Sequence, residues 1–204
     1  KSIFFQTINV DLEKISSNEN YYRQNKKKIE KVIKNKKING LINSAAFQTF
    51  KNFKKLTYMD LKKSLDINFF SIFRLFRLVE KNLSKNSGFL INISSIHSSL
   101  TKKNFTAYST SKSALTSLTK SLSIEVGNKI TCICIEPGAI DTGMLNKTLN
   151  DKKTYKKLEK NIPVQKIAKP EDIAKIINFL IVSKIRYMNG SIIDISGGLK
   201  NILI

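Results

Sequence analysis

Tyr108 and Lys112 stand four residues apart in the stretch AYSTSKSAL, residues 107–115. The stretch reads as the start of a helix, and positions four apart share one helix face. A phenol and an ammonium can therefore point at a single spot, with Ala, Ser and Thr leaving room around them. Such a pair can pass a proton to or from a bound oxygen. Free tyrosine titrates near pH 10, so working near neutrality needs a shift of about three units, or about 4 kcal/mol. One charge about 4 Å away in an effective dielectric of about 20 supplies roughly that much. Taken alone, the pair reads more readily as an amphipathic helix with a snorkelling lysine. Its neighbours in the chain decide between the two.

Those neighbours are strand and helix in alternation. Apolar, β-branched runs predict strands at residues 3–10, 39–43, 88–93, 129–136 and 191–196. Helical spacing predicts helices over residues 18–37, 57–83, 106–126 and 151–160, and another opened by KPEDIAKIINFLI. Thr57 followed by Asp60 is a capped start, Gly127 and Asn128 a stop, and Pro170 a first-turn proline. The stretch PGAIDTGMLNK reads as a loop. Short apolar strands alternating with helices specify a Rossmann-like, doubly wound parallel sheet in three layers, α/β/α, in one domain spanning residues 1–204. In such sheets ligands bind beyond the carboxyl ends of the strands. The polar stretches NSAA, NISS and PGAIDT each follow a strand and so converge on one rim.

Composition narrows the classes. The 204 residues carry 36 basic and 15 acidic side chains, a formal charge of +21. Such a charge attracts polyanions, but the lysines are spread over nearly every helix and no aromatic-interleaved basic ribbon accompanies them. They read as solvated helix faces, and nucleic acid is not the expected partner. No apolar run is long enough to span a membrane and no signal peptide opens the chain, so the expected location is cytoplasmic. Cys132 and Cys134 alternate along one strand, share a face, and are poorly placed to bridge each other; with one histidine in the chain, no metal site is expected.

From VDL at residues 10–12 to ISGG at residues 195–198, the chain resembles the short-chain dehydrogenase/reductase family. Ser95 precedes Tyr108 by thirteen positions, and Asn68 lies in the middle of the long helix, as the family's serine and asparagine do. The resemblance implies an oxidoreductase that interconverts a carbonyl and a secondary alcohol by hydride transfer with NAD or NADP. Tyr108 would be general acid/base, Lys112 would lower its pKa and hold the nicotinamide ribose, Ser95 would hydrogen-bond the reacting carbonyl, and Asn68 would support a water chain. Asp11 would contact adenine, and Asn43 and Ala45 would line the adenosine ribose. Pro137, Gly138, Ile140 and Thr142 would cradle the nicotinamide. His97, with Ser95 and Tyr108, would meet a small-molecule substrate, and the lysines favour an anionic one, such as an acyl carrier or a sugar acid. A homo-oligomer, dimer or tetramer, would form through helices 57–83 and 106–126.

The sequence also departs from the family. Ser44 and Ala46 replace an Asn and a Gly in the element Asn43–Ala46, and no glycine-rich phosphate loop occurs. The family's first two strands and their helices are absent, and those strands belong between the strands at 3–10 and 39–43. The sequence is therefore expected to be an N-terminally truncated record of a complete enzyme. Were residues 1–204 the whole product, the chain would be either unstable or rearranged, with the strand at 3–10 docking directly beside 39–43. Alternative readings are a non-catalytic relative that binds a partner, or a polyanion-binding module.

Overall fold

Continuous runs of Ile, Leu and Cys, with little polar alternation, build the sheet. In the computed structural model, which describes residues 6–149 and 151–202, four parallel strands lie in the order β1 (Gly40–Asn43), β2 (Phe89–Ile93), β3 (Thr131–Pro137) and β4 (Ile192–Ile195). All seven residues of β3 are buried, as befits a central strand covered on both faces. The register sets Asn43 beside Asn92, Ile93 beside Ile135 and Pro137 beside Ile195. All the carboxyl ends thus fall along one rim.

Helices cover both faces. Phe76, Val79 and Leu83 of α4 (Ser71–Lys85) pack on Leu90, Ile130 and Cys132. On the opposite face, Leu180 of α8 (Pro170–Ser183) packs on Phe89, Ile91, Ile133 and Ile135. Each such side chain, fully buried, stabilises by roughly 1.5–3 kcal/mol. Cys132 and Cys134 are free, buried and directed to the α4 side, the shared face expected from their alternation. The helix α5 (Thr106–Glu125), which carries Tyr108, lies on that same side against β2 and β3.

Three elements differ from expectation. The long helix at 57–83 is interrupted: α3 (Tyr58–Leu65) runs into a π-helical turn, Asp66–Phe70, before α4. Thr57 and Asp60 form the expected capping box. The strand expected at 3–10 is not formed over residues 6–10, which run irregularly into α1 (Leu12–Ser17) and α2 (Glu19–Ile33); residues 3–5 lie outside the described part. Among the described residues β1 pairs only with β2, so residues 6–10 do not dock beside it. They find no ladder to join, and Asp11 instead caps α1, its Oδ1 accepting from Lys14 N at 3.0 Å. The loop expected after Pro137 contains α6 (Gly143–Leu149), started by Thr142 Oγ1, which accepts from Leu145 N at 3.4 Å. The lysine-rich helix follows as α7 (Lys152–Asn161).

Gly138 is where the end of β3 meets the C-terminal segment. A Cβ there would lie 2.9 Å from Ser196 Cα and 3.0 Å from Ser196 Cβ. We expect Gly138→Ala to lower unfolding free energy in urea by about 1–3 kcal/mol, the usual cost of overpacking; an unchanged midpoint would contradict this close approach.

Candidate active site

Helix α5 turns one face to the sheet, and Tyr108, Ser111, Lys112, Leu115, Thr116 and Thr119 are buried on it. Tyr108 is 8% exposed and Lys112 2%. The Lys112 ammonium lies 5.8 Å from the centre of the Tyr108 ring and donates to the carbonyl of Ile93 at 2.7 Å. Ser95 follows β2, where the chain turns into a short 3-10 segment, Ile96–Ser98. Its hydroxyl accepts from His97 N at 3.1 Å and lies near enough to the Tyr108 phenol to favour its ionised form. The structure therefore brings Ser95, Tyr108 and Lys112 together on one rim, from a loop and a helix well apart in the sequence.

Asn68 stands in the π-helical turn with all its side-chain bonding engaged. Its Nδ2 donates to Phe47 O and to Ser111 Oγ, both at 2.8 Å, and its Oδ1 accepts from Phe47 N at 2.7 Å. It ties the segment after β1 to α5. Asn43 belongs to a second buried chain: Nδ2 donates to Asn92 Oδ1 at 2.7 Å, and Asn92 Nδ2 donates to Thr119 Oγ1 at 2.9 Å. Ala45 is exposed just beyond. Pro137 ends β3. Ile140 bridges to Ala168 through its neighbours: Ala168 N donates to Ala139 O at 3.2 Å and Asp141 N to Ala168 O at 2.8 Å. Alternation along extended chain turns the N–H of Ile140 the other way. Asp11 caps α1, as described above.

An aromatic wall closes one side. The His97 ring is 4.6 Å from Phe105 and 6.3 Å from Tyr108, and Phe105 meets Tyr108 and Phe50 edge-on, each at 5.7 Å. Burial, with the nearby Lys102 charge, pushes the His97 pKa down. His97 Nδ1 is 3.3 Å from the carbonyl of Leu100. A carbonyl only accepts, so Nδ1 carries the proton of the neutral ring and Nε2 is left as an acceptor.

Burial raises the Tyr108 pKa, and the Ser95 hydroxyl offsets part of that rise. The lowering expected from Lys112 is not seen in the described structure. Its ammonium turns to Ile93 instead, and burial pushes its own pKa down to about 8. Lys112 has three donors and one hydrogen bond among the described residues. A buried ammonium so sparsely bonded fits a ligand rich in hydroxyls, and the nicotinamide–ribose half of a dinucleotide is such a group. Lys112, Tyr108 and the Pro137–Thr142 loop would hold that half. No glycine-rich turn that would cradle a pyrophosphate is present in the sequence.

One buried carboxylate escaped the sequence reading. Glu136, the residue before Pro137, is 1% exposed, and a charge in the otherwise apolar run ITCICIE was its signal. Ser94, Ser111 and Thr116 were missed too, since lone hydroxyls in a serine-rich chain carry little signal.

The family model described as Enoyl-(Acyl carrier protein) reductase matches residues 6–200. The 3-oxoacyl-(acyl-carrier-protein) reductase of Buchnera aphidicola is 35% identical over 161 residues, 78% of this chain and 65% of that protein. Carbonyl reductase (NADPH) 2 of Sus scrofa is 30% identical over 161 residues, 78% of this chain and 66% of that protein. Among solved structures, a 4-hydroxyisoleucine dehydrogenase complexed with NADH superposes with a TM-score of 0.85 at 26% identity, covering 96% of this chain and 79% of that one. The chain spans about two thirds of the length of the curated relatives it matches.

The folded chain gives up the Lys112 proton near pH 8, whereas unfolded lysine holds it to about 10.5. The unfolded state therefore binds more protons between those values, and the burial penalty is full below pH 8 and relieved as pH rises. We expect Lys112→Met to be more stable than wild type by on the order of 3 kcal/mol below pH 8, with the gap closing toward pH 10.5 in urea titrations. A gap that stays constant with pH would contradict the buried charge.

Proposed function

We propose that this chain, which belongs to the short-chain dehydrogenase/reductase family, interconverts a carbonyl and a secondary alcohol with NAD or NADP, using Tyr108 as proton donor and acceptor. The observation that carries the proposal is the joint burial of Tyr108 and Lys112 on one face of α5, with the Ser95 hydroxyl beside the phenol. When bound, the nicotinamide supplies or accepts the hydride. In the reducing direction Tyr108 gives its proton to the carbonyl oxygen as negative charge develops there. Ser95 donates to the same oxygen and so favours the charge-separated transition state. Lys112 binds the ribose hydroxyls and keeps a positive charge near the phenol. Asn68 positions the segment around Phe47 against α5. The N–H of Ile140, turned away from Ala168, is available to a carboxamide.

The substrate we infer is small, bears a hydroxyl or second oxygen, and is anionic or carried on an anionic group. His97 Nε2 is an acceptor suited to a hydroxyl, while the aromatic wall of Phe50 and Phe105 takes the apolar side. Lys152, Lys153, Lys156, Lys157 and Lys160 of α7 are all exposed and favour the anion by charge alone. The name of the Buchnera relative agrees with an acyl carrier. A second copy would pack on α4, the π-helical turn before it and α5, where Phe73, Phe70 and Ile124 are 43%, 45% and 84% exposed. No helix of the described residues is long and apolar enough to cross a membrane.

Titration with NADH and NADPH, followed by nucleotide fluorescence, tests the proposal directly. Tyr108→Phe should retain nucleotide binding and lose carbonyl reduction by at least about 100-fold, while Lys112→Met should weaken both. The deciding form is the chain extended upstream in its source gene: if that folded form binds neither nucleotide, the oxidoreductase reading is overturned.

A further inference from the structure

The geometry points to Glu136 as a positioning residue that clasps the Ser95 loop to α5 and to the C-terminal segment, and so sets Ser95 against Tyr108; this role rests on the proposed hydride-transfer site. Glu136 is the last charged side chain of β3 and is buried on the α5 side of the sheet. A carboxylate removed from water must be paired and hydrogen-bonded, and both its oxygens are. Oε2 accepts from Lys200 Nζ at 2.5 Å, and Oε1 accepts from Ser98 Oγ. Thr116 Oγ1 is 3.1 Å from Oε1 and 2.8 Å from Ser94 Oγ.

Proton accounting shows how the cluster is wired. Ser94 gives its proton to Lys112 O at 3.0 Å, leaving its oxygen to accept from Thr116. Thr116 has one proton, shared between Ser94 and Glu136, so the assured donors to the carboxylate are Ser98 and Lys200. Ser98 is the last residue of the 3-10 segment whose N-cap is Ser95. Its carbonyl also accepts from Ser113 of α5 at 2.5 Å. The loop that carries Ser95 is therefore pinned at its far end, by the carboxylate from below and by α5 from the side.

Lys200 reaches the carboxylate because the chain reverses after β4. Gly197 and Gly198 both have positive φ, +63° and +87°, and a Cβ at Gly197 would lie 2.7 Å from Val164 Cγ2. Lys200 N then donates to Ser196 Oγ at 3.2 Å, which fixes the turn. A hydroxyl-lined cleft of about 430 Å³, bordered by Ser99, Ser113, Ser117 and Lys120, opens beside the pair. The Lys200 side chain is 25% exposed there, whereas that of Glu136 is 2% exposed. The C-terminal segment thus supplies the counter-charge for a group whose other oxygen holds the catalytic loop.

The test uses the chain labelled with 13Cζ-tyrosine, with Tyr108→Phe assigning the Tyr108 resonance, alongside reduction of an uncharged test ketone. Glu136→Ala and Ser98→Ala should shift the Tyr108 resonance. They should also lower kcat by about 10- to 100-fold, the scale of a misplaced catalytic group, with KM for the nucleotide unchanged. Glu136→Gln, which still offers an oxygen to Ser98, should recover part of the loss; Glu171→Gln, an exposed carboxylate, should change nothing. Should Glu136→Ala fail to fold, Ser98→Ala decides alone, since it removes one hydroxyl. Wild-type kcat and an unmoved Tyr108 resonance in the folded variants would overturn the clasp. If wild type itself reduces no ketone, the hydride-transfer reading fails on its own, and the Tyr108 resonance still decides whether Glu136 positions the loop.

Discussion

The 2.7 Å hydrogen bond from Lys112 Nζ to the carbonyl of Ile93 is the contact on which the site depends. Ser94 N–H bonds to Ile135 O on the β3 side, so the preceding carbonyl, that of Ile93, turns toward β1. There β1 has already stopped at Asn43. The sheet leaves one acceptor at its rim, and the ammonium takes it. This pins α5 to the end of β2, and with it Tyr108, one turn earlier on the same face. A lysine this deeply buried is costly, and the ladder ending one residue early is what gives it a partner.

Polar residues inside the sheet add register to that anchor. A parallel sheet covered on both faces is normally apolar throughout, yet Asn92 is wholly buried and bonded to Asn43 on one side and Thr119 on the other. Leaving either partner unmatched costs about 1–3 kcal/mol. A one-residue slip of β2 would turn Asn92 to the α8 face, among Leu180 and the isoleucines. The same logic holds at Glu136, which shares a face with Cys132 and Cys134 and meets Thr116 only in this register. These groups stabilise one arrangement by penalising its neighbours, and that arrangement aligns the rim.

What the sequence made legible follows from these constraints. β2, β3, β4 and helices α5 and α8 announced themselves by apolar period and by Gly or Pro punctuation, and Tyr108, Lys112 and Ser95 by type and spacing. The π-helical turn at Asp66–Phe70 was hidden, because an extra residue in a helix leaves the apolar pattern nearly intact. The strand expected at 3–10 had the right composition, but a strand is made by its neighbours, and residues 6–10 have none among the described residues. Helix α6 was masked by the Pro and Gly that precede it. Roles were harder to read than places. Lys112 was expected to act on Tyr108, but the carbonyl it turns to comes from a strand ending that no local pattern encodes. Glu136 was visible as a charge in an apolar run, yet its partners lie 38 and 64 residues onward or back.

The opposed effects of burial also set the resting state of the site. The Tyr108 pKa is raised and that of Lys112 is lowered to about 8, so at neutral pH the phenol holds its proton and the lysine its charge. On the proposed function, a site in that state would give a proton to a substrate oxygen. For the reverse direction the phenol must first lose its proton, which costs most in a low-dielectric cavity. Two things lower that cost: the nearby Ser95 hydroxyl, and a positive charge brought close to the ring. Lys112 can serve as that charge only if something draws it from Ile93 or adds to it. On the proposed function, how readily the phenol ionises therefore depends on how firmly the end of β2 holds the ammonium, a backbone property rather than a choice of catalytic residue.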